Sequence, residues 1–262
     1  VAPPRTITDV TAILNKEKRE QRPQTAANDE MTTREPPKTT DKQQLAEFYF
    51  SRGRAAQKTG RAQQAIEDYK KALELGGTDN PSGTAKRLHA LASVEAKTGR
   101  LRDAVRHVRQ AIKLSDRKHR ELTWTLKLAN WLLNAGNIEG SQGTIEQAEA
   151  LMEDIRNGTK PRQRRAWEQR GAGWQATIVR LKARILDRRG KYAEAGTMLK
   201  SAYDKMVTAI DSKDGLARIS HRLLEILQGN YGMVLLRQGR LIEAEIEIRS
   251  ALISALRRTG RY

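Results

Sequence analysis

The chain has 262 residues, with 49 Lys or Arg against 31 Asp or Glu, giving a formal net charge of +18 at pH 7. It contains no cysteine, which removes disulfides, thiolate metal sites and cysteine nucleophiles from consideration. No apolar run approaches the roughly 18 residues of a membrane span, and alternating Val/Ile/Thr runs bounded by turns are nearly absent, so the expected class is all-α.

The chain opens with Val1-Ala2-Pro3-Pro4 rather than Met, as a cleaved export signal or a cut from a longer chain would leave it; localisation stays open, leaning to export. Thr8 or Asp9 is placed to cap a short helix carrying Val10, Ile13 and Leu14. After Lys16 the sequence turns polar, with Pro23, Pro36 and Pro37, so residues 1–41 read as an N-terminal arm or linker too poor in apolar residues to build a core.

Thr40 or Asp41 can cap the next helix. From Leu45 to Leu75 the spacing predicts two helices joined at Gly60, a residue suited to the left-handed backbone that ends a helix. Gly53 lies seven residues before Gly60, Ala65 five after it, and Tyr69 and Ala72 nine and twelve after it. The same offsets give Ala92, Ala104, Val108 and Ala111 around Gly99, and Ala129, Ser141, Ile145 and Ala148 around Gly136. They give Ala183, Ala195, Leu199 and Ala202 around Gly190, and Gly232, Ala244, Ile248 and Ala251 around Gly239. The third set is the poorest, with Ser141 and extra glycines at Gly140 and Gly143. Small residues let paired helices approach closely, and the larger residue fills the space beside them.

This register resembles the tetratricopeptide repeat, a helix–turn–helix unit of about 34 residues. The resemblance covers 42–258 and implies an α-solenoid of about five repeats. The last two turn glycines are further apart than the first three, so the later repeats are elongated. A helix over 162–189 is predicted to be unusually long unless Gly171 and Gly173 interrupt it, and another over 213–238 buries Leu216, Ile219, Leu223, Ile226 and Leu227. Residues 259–262 read as the start of a further element, since solenoids usually end in a helix with a polar outer face. The arm and the Leu-Ala-Glu-Phe-Tyr-Phe stretch also resemble bacterial proteins in which tetratricopeptide repeats precede a caspase-like CHAT protease domain; that domain, and any catalytic residue of it, is not in this sequence.

No catalytic constellation is expected. His89, His107, His119 and His221 lack metal-ligand spacing, and the P-loop and His-Glu-x-x-His patterns are missing, so neither a metal nor a cofactor is predicted. Trp124 and Trp131, and Trp167 and Trp174, are each seven apart, which favours core packing over an exposed aromatic face. Glu243 and Glu247, flanked by Arg240 and Arg249, favour a salt-bridged surface.

In the family resembled, the first helix of each repeat lines the concave surface. Carried over by offset from the turn glycine, this implies a partner-binding groove of Arg54, Lys58, Lys86, His89, Lys97, Asn130, Leu133, Arg180, Arg184, Arg188, Met233 and Arg237. Such a groove is mostly basic with apolar anchors and suits an acidic peptide or partner segment. The asparagine and lysine with which some members clamp a C-terminal carboxylate are replaced by Phe50 and Arg54. The functional expectation is a non-catalytic protein–protein interaction scaffold. The alternative is a nucleic-acid-binding repeat module, suggested by the charge and by Arg162, Arg164, Arg165 and Arg170 near Trp167. Oligomeric state is not legible.

Overall fold

The computed structural model describes residues 23–77, 80–211 and 221–258. Among them are eleven α-helices and no strand. They are α1 (Pro23–Thr33), α2 (Lys42–Lys58), α3 (Ala62–Leu75), α4 (Pro81–Lys97), α5 (Leu101–Lys113), α6 (Lys118–Asn134), α7 (Ile138–Arg156), α8 (Pro161–Arg188), α9 (Tyr192–Asp211), α10 (His221–Arg237) and α11 (Leu241–Arg258). The chain divides into two compact units, with the boundary between Ser141 and Gln142. No helix among the described residues is long and apolar enough to cross a membrane. The short helix expected around Ile13 and the element expected to begin at Thr259 lie outside the described residues, as do Leu216 and Ile219.

Five turns share one backbone design. Gly60, Gly99, Gly136, Gly190 and Gly239 all have positive φ, between 76° and 83°. The residue after each glycine donates its N–H to a carbonyl five residues back: Arg61 to Ala56, Arg100 to Glu95, Asn137 to Leu132, Lys191 to Leu186 and Arg240 to Leu235. That bond across a left-handed residue is the Schellman arrangement, which satisfies the carbonyls a helix end would otherwise leave open. The carbonyl of the same residue then accepts the first bond of the next helix, from Ala65, Ala104, Ser141, Ala195 and Ala244 respectively. One helix thus ends and its partner begins within a few residues.

The small residues predicted at these offsets are all at the helix–helix contacts. Ala92, Ala129, Ala183, Ala65, Ala104, Ser141 and Ala195 have no exposed surface. A Cβ built on Gly53 would lie 2.9 Å from the Tyr69 ring, and one on Gly232 would lie 2.6 Å from Ile248 Cγ1, so the residue seven before the turn meets the residue nine after it. Ser141, the polar member of the set, is accommodated because its Oγ donates to the Ala129 carbonyl at 2.9 Å.

In the N-terminal unit, Ala65, Ile66 and Tyr69 pack with Leu91 and Val94 of α4, and Ala104, Val108 and Ala111 pack with Trp124, Leu128 and Trp131 of α6. In the C-terminal unit, Ala183, Ala195, Leu199 and Ala202 form a core with Leu227 and Val234. α8 runs 28 residues without a break, so Gly171 and Gly173 do not interrupt it. Trp124, Trp131 and Trp174 are buried, as core packing requires, whereas Trp167 is half-buried under the Arg156 guanidinium, 5.9 Å from its ring centroid.

Residues 23–33, read from the sequence as part of the polar arm, form α1, which lies against the first pair. Gln64 Nε2 donates to the Thr32 carbonyl at 2.7 Å and Arg52 Nη1 donates to the Arg34 carbonyl at 3.0 Å. Asp41 is the cap of α2, accepting from the Gln43 and Gln44 amides. Three buried acids are paired: Asp68 takes a fork from Arg52 (3.0 and 2.7 Å), Glu95 meets His107 (2.7 Å), and Glu225 takes a fork from Arg258 (2.9 Å for each nitrogen), whereas the buried Arg87 leaves its Nη1 without a hydrogen-bond partner.

Candidate functional site: a cationic face on the first helices

In the N-terminal unit the first helices of the pairs are α2, α4 and α6. Arg54 and Lys58 on α2, and Lys86 and Lys97 on α4, are exposed. His89, one turn beyond Lys86, is half-buried and its ring stacks on Trp124 of α6, with centroids 4.8 Å apart and planes 14° off parallel. Lys127 of α6 places Nζ 2.8 Å from His89 Nε2. An ammonium only donates, so Nε2 accepts and the imidazole is neutral, with its proton on Nδ1. Burial first, then the charges of Lys127 and Arg120, push the His89 pKa from 6.5 down to about 3. Burial and the neighbouring Lys97 charge also lower the Lys127 pKa. Arg120 stands over the Trp124 ring at 5.8 Å. Arg120 and Lys127 thus flank one neutral imidazole with an indole wall, Arg120 also pairing with Asp116 at 3.5 Å, and Lys97 lies near Lys127. Asn130 lies half-buried further along α6.

Leu133 was expected to serve as an apolar anchor, but it has no exposed surface. The Leu-Ala-Asn-Trp-Leu-Leu stretch is apolar on more than one face, so the helix buries the side expected to line a groove, and Leu126 is buried with it.

In the C-terminal unit, Arg180, Arg184 and Arg188 follow one face of α8. The sequence reading placed this row in the groove, facing an acidic segment, with its three members equivalent. Instead it sinks towards its N-terminal member: Arg188 is exposed, while Arg184 and Arg180 are half-buried. Burial, then the charge of Arg184, lowers the Arg180 pKa from its ordinary value to about 10. Burial and Arg188 lower that of Arg184, with Asp187 opposing. On α10, Arg237 is exposed and pairs with Asp187 of α8, and Met233 is exposed at 47%. A cleft of about 650 Å³ beside α9 includes Lys200, Ser201, Tyr231 and Arg240 in its lining, but Lys200 is held by Asp204 at 2.6 Å.

The twelve expected residues therefore divide between the two units. Arg54, Lys58, Lys86, His89, Lys97, Asn130 and Leu133 belong to the N-terminal unit, and Arg180, Arg184, Arg188, Met233 and Arg237 to the C-terminal unit. Sequence reasoning missed Lys127 and Arg120. Lys127 had a signal: it is the one charged residue between Glu121 and Glu139, inside an otherwise apolar or neutral run. A lone lysine there marks where a helix face opens to solvent.

The family model of the tetratricopeptide repeat matches residues 44–117. Among solved structures, the chain is similar to BtubC (BKLC) from P. vanneervenii, with a TM-score of 0.58 and 18% identity over 93% of this chain and 94% of that one. It is similar to nearly identical TPR-like repeats of a Podosopora anserina protein, with a TM-score of 0.53 and 15% identity over 84% and 98% of the two chains. It is also similar to the apo form of RapI, with a TM-score of 0.54 and 10% identity over 97% and 93%. At these identities the likeness is one of fold. No curated protein matches the sequence.

Proposed function

We propose, for a chain whose residues 44–117 are tetratricopeptide repeats and whose other described helices share that fold, a role as a non-catalytic scaffold that holds an acidic segment of a partner protein. Repeats of this family generally mediate protein–protein interaction. The observation that carries the finer reading is the placing of Arg120 and Lys127 beside the His89–Trp124 stack, with Lys97 near Lys127 and Lys86 exposed on the same helix as His89. Half-burial of a lysine among like charges is costly in the free protein, as its lowered pKa reports. A carboxylate placed between Lys97 and Lys127 removes that cost, and the Trp124 wall offers apolar contact to the adjoining residue.

The test is fluorescence anisotropy with a set of acidic peptides, comparing wild type with Lys97→Glu and with Lys127→Met. Each exposed ion pair contributes only about 0–1 kcal/mol, so affinity should rest on several pairs together and fall stepwise with each substitution. Unchanged binding by both variants would sink the reading.

The nucleic-acid reading retains one specific support. Arg162, Arg164, Arg165 and Arg170 are exposed on the first half of α8 around the half-buried Trp167. Binding of random single-stranded oligonucleotides with a steep negative dependence on salt would favour it over the peptide reading.

A further inference from the structure

The side chain six residues after a turn glycine decides whether the gap between one helix pair and the next is sealed. After Gly60 it is Ile66, packed with Leu91 and Val94 of α4, which lie eight and five residues before the next turn glycine. After Gly99 it is Val105, packed on the cluster that holds Leu128 and Trp131 of α6, at the same two offsets. After Gly136 it is Gln142, whose Oε1 accepts from Arg189 Nη2 at 3.0 Å beside a slot of about 280 Å³. After Gly190 it is Gly196, and the cleft of about 650 Å³ lies there. The residues eight and five before the following turn glycine are here Tyr231 and Val234. A Cβ built on Gly196 would lie 3.7 Å from Tyr231 Cε2, 3.5 Å from Val234 Cγ1 and 3.3 Å from Gln238 Nε2. It would point where Ile66 and Val105 point. All three neighbours are side-chain atoms, so close approach of the helix backbones does not demand glycine at this position. Glycine in a helix interior is destabilising, and what it leaves here is an unfilled socket. The lining of that socket comes from α9, α10 and the turn that leads into α11.

The charges around the socket say what fills it. Lys200 and Lys205 of α9 and Arg240 of the turn line it against one carboxylate, that of Asp204. Lys200 is held by Asp204 and Arg240 by Glu243, while Glu247, which also acts on Lys200, accepts from Gln228. Lys205 is exposed. The lining is therefore positive in sum, with an ammonium at its surface and an aromatic ring and a glycine inside. We propose that this cleft docks a segment of a partner protein in which a branched aliphatic residue is flanked by acidic ones. The aliphatic side chain takes, from the partner, the place that Ile66 and Val105 take within the chain, over Gly196 and against Tyr231. A flanking carboxylate pairs with Lys205. A preformed concavity with an apolar interior and a few polar groups to fix orientation is the usual form of a binding site.

The cleft shares no residue with the basic face of α4 and α6, so this inference stands apart from the proposed function. The chain lacks cysteine, so Ala193→Cys puts a single thiol on the lining of the cleft, and an environment-sensitive dye attached there reports occupancy of this site. The probes are three short peptides with isoleucine, valine or leucine between aspartates. Two controls carry serine for the aliphatic residue or asparagine for the aspartates. The dye should respond to the aliphatic–acidic peptides, and each control should bind more weakly. Adding Gly196→Ile supplies the plug within the chain, so affinity should fall about tenfold or more as the peptide side chain loses its burial. Its circular dichroism should be unchanged and its melting temperature not lowered. Lys205→Glu, at the surface, should lower affinity about two- to fivefold and reads the site without touching its packing. Lys97→Glu, on the other basic face, should leave the dye response unchanged. Silence of the dye with all three aliphatic peptides overturns the proposal. So does a response that the serine control equals, one undiminished by Lys205→Glu or by a folded Gly196→Ile, or one that Lys97→Glu abolishes.

Discussion

Two glycines three residues apart on α10 should respond to the same substitution with opposite signs. A helix-interior glycine costs about 0.5–1 kcal/mol relative to alanine, because the unfolded chain is freer. Gly229 is half-buried and a Cβ there would meet nothing within 4 Å, so Gly229→Ala should realise that gain in full. Gly232 is buried against α11. Its added Cβ would sit 2.6 Å from Ile248 Cγ1 and 3.2 Å from both the Ala244 carbonyl oxygen and the Ile248 amide nitrogen. Two of those three atoms are backbone, so a rotamer change cannot relieve the contact and α10 must move away from α11. Overpacking of this kind costs about 1–3 kcal/mol. Set against the propensity gain, Gly232→Ala should lose up to about 2.5 kcal/mol, leaving the two variants about 1–3 kcal/mol apart. Urea unfolding followed by far-ultraviolet circular dichroism measures this through the midpoints. If both variants shift the midpoint in one direction by similar amounts, the close approach of α10 and α11 at Gly232 is not what selects glycine there.

The remaining expectations concern charge and packing. The His89 pKa is held at about 3, below its ordinary 6.5, so the imidazole stays neutral in the fold while the unfolded chain takes up a proton. Stability from this group is full above pH 6.5 and is lost as pH falls from there towards 3, by about 2 kcal/mol at most between pH 8 and pH 5; His89→Gln should flatten that part of the stability profile. Asp68→Asn should cost about 3 kcal/mol by leaving Arg52 without its fork, measured by thermal melting, and a change below 1 kcal/mol would show that water takes over the guanidinium. Lys127→Met should raise stability slightly while weakening acidic-peptide binding, a combination that a purely structural lysine would not give. Ala104→Leu should destabilise by about 1–3 kcal/mol, with hydrogen exchange accelerated mainly in α4, α5 and α6.

The turns were legible because each imposes two local demands that only a few residue types meet. Gly60 and its four counterparts supply a left-handed backbone, and Ala65 and its counterparts permit close helix contact, so five matches in register identified the repeats. α1 was not legible, since Pro23–Thr33 has no apolar stripe and is held to the first pair largely by polar contacts such as that of Gln64 with Thr32. The groove was legible only as a set of helix positions. Offset from a glycine gives an angle around a helix, not a depth, so it ranked Leu133 beside Lys97 although one is enclosed and the other exposed. It also passed over Lys127, whose character comes from the helix that lies beside it. For the same reason Arg180, Arg184 and Arg188 looked equivalent along α8, whereas burial grades them.

The turn glycines are all right-hand-forbidden and sterically vacant at once: each has φ above +75°, and a Cβ added at any of the five would touch nothing within 4 Å. What these positions require is therefore chirality and not smallness. A D-amino acid adopts that φ as its own preferred backbone, so D-alanine, or a D-residue bearing a dye or a cross-linker, would fit where L-alanine is strained. It would also narrow the unfolded ensemble that glycine leaves wide. Each repeat accordingly carries one outward-facing address at which a chemically synthesised version of the chain can be decorated without disturbing either helix it joins.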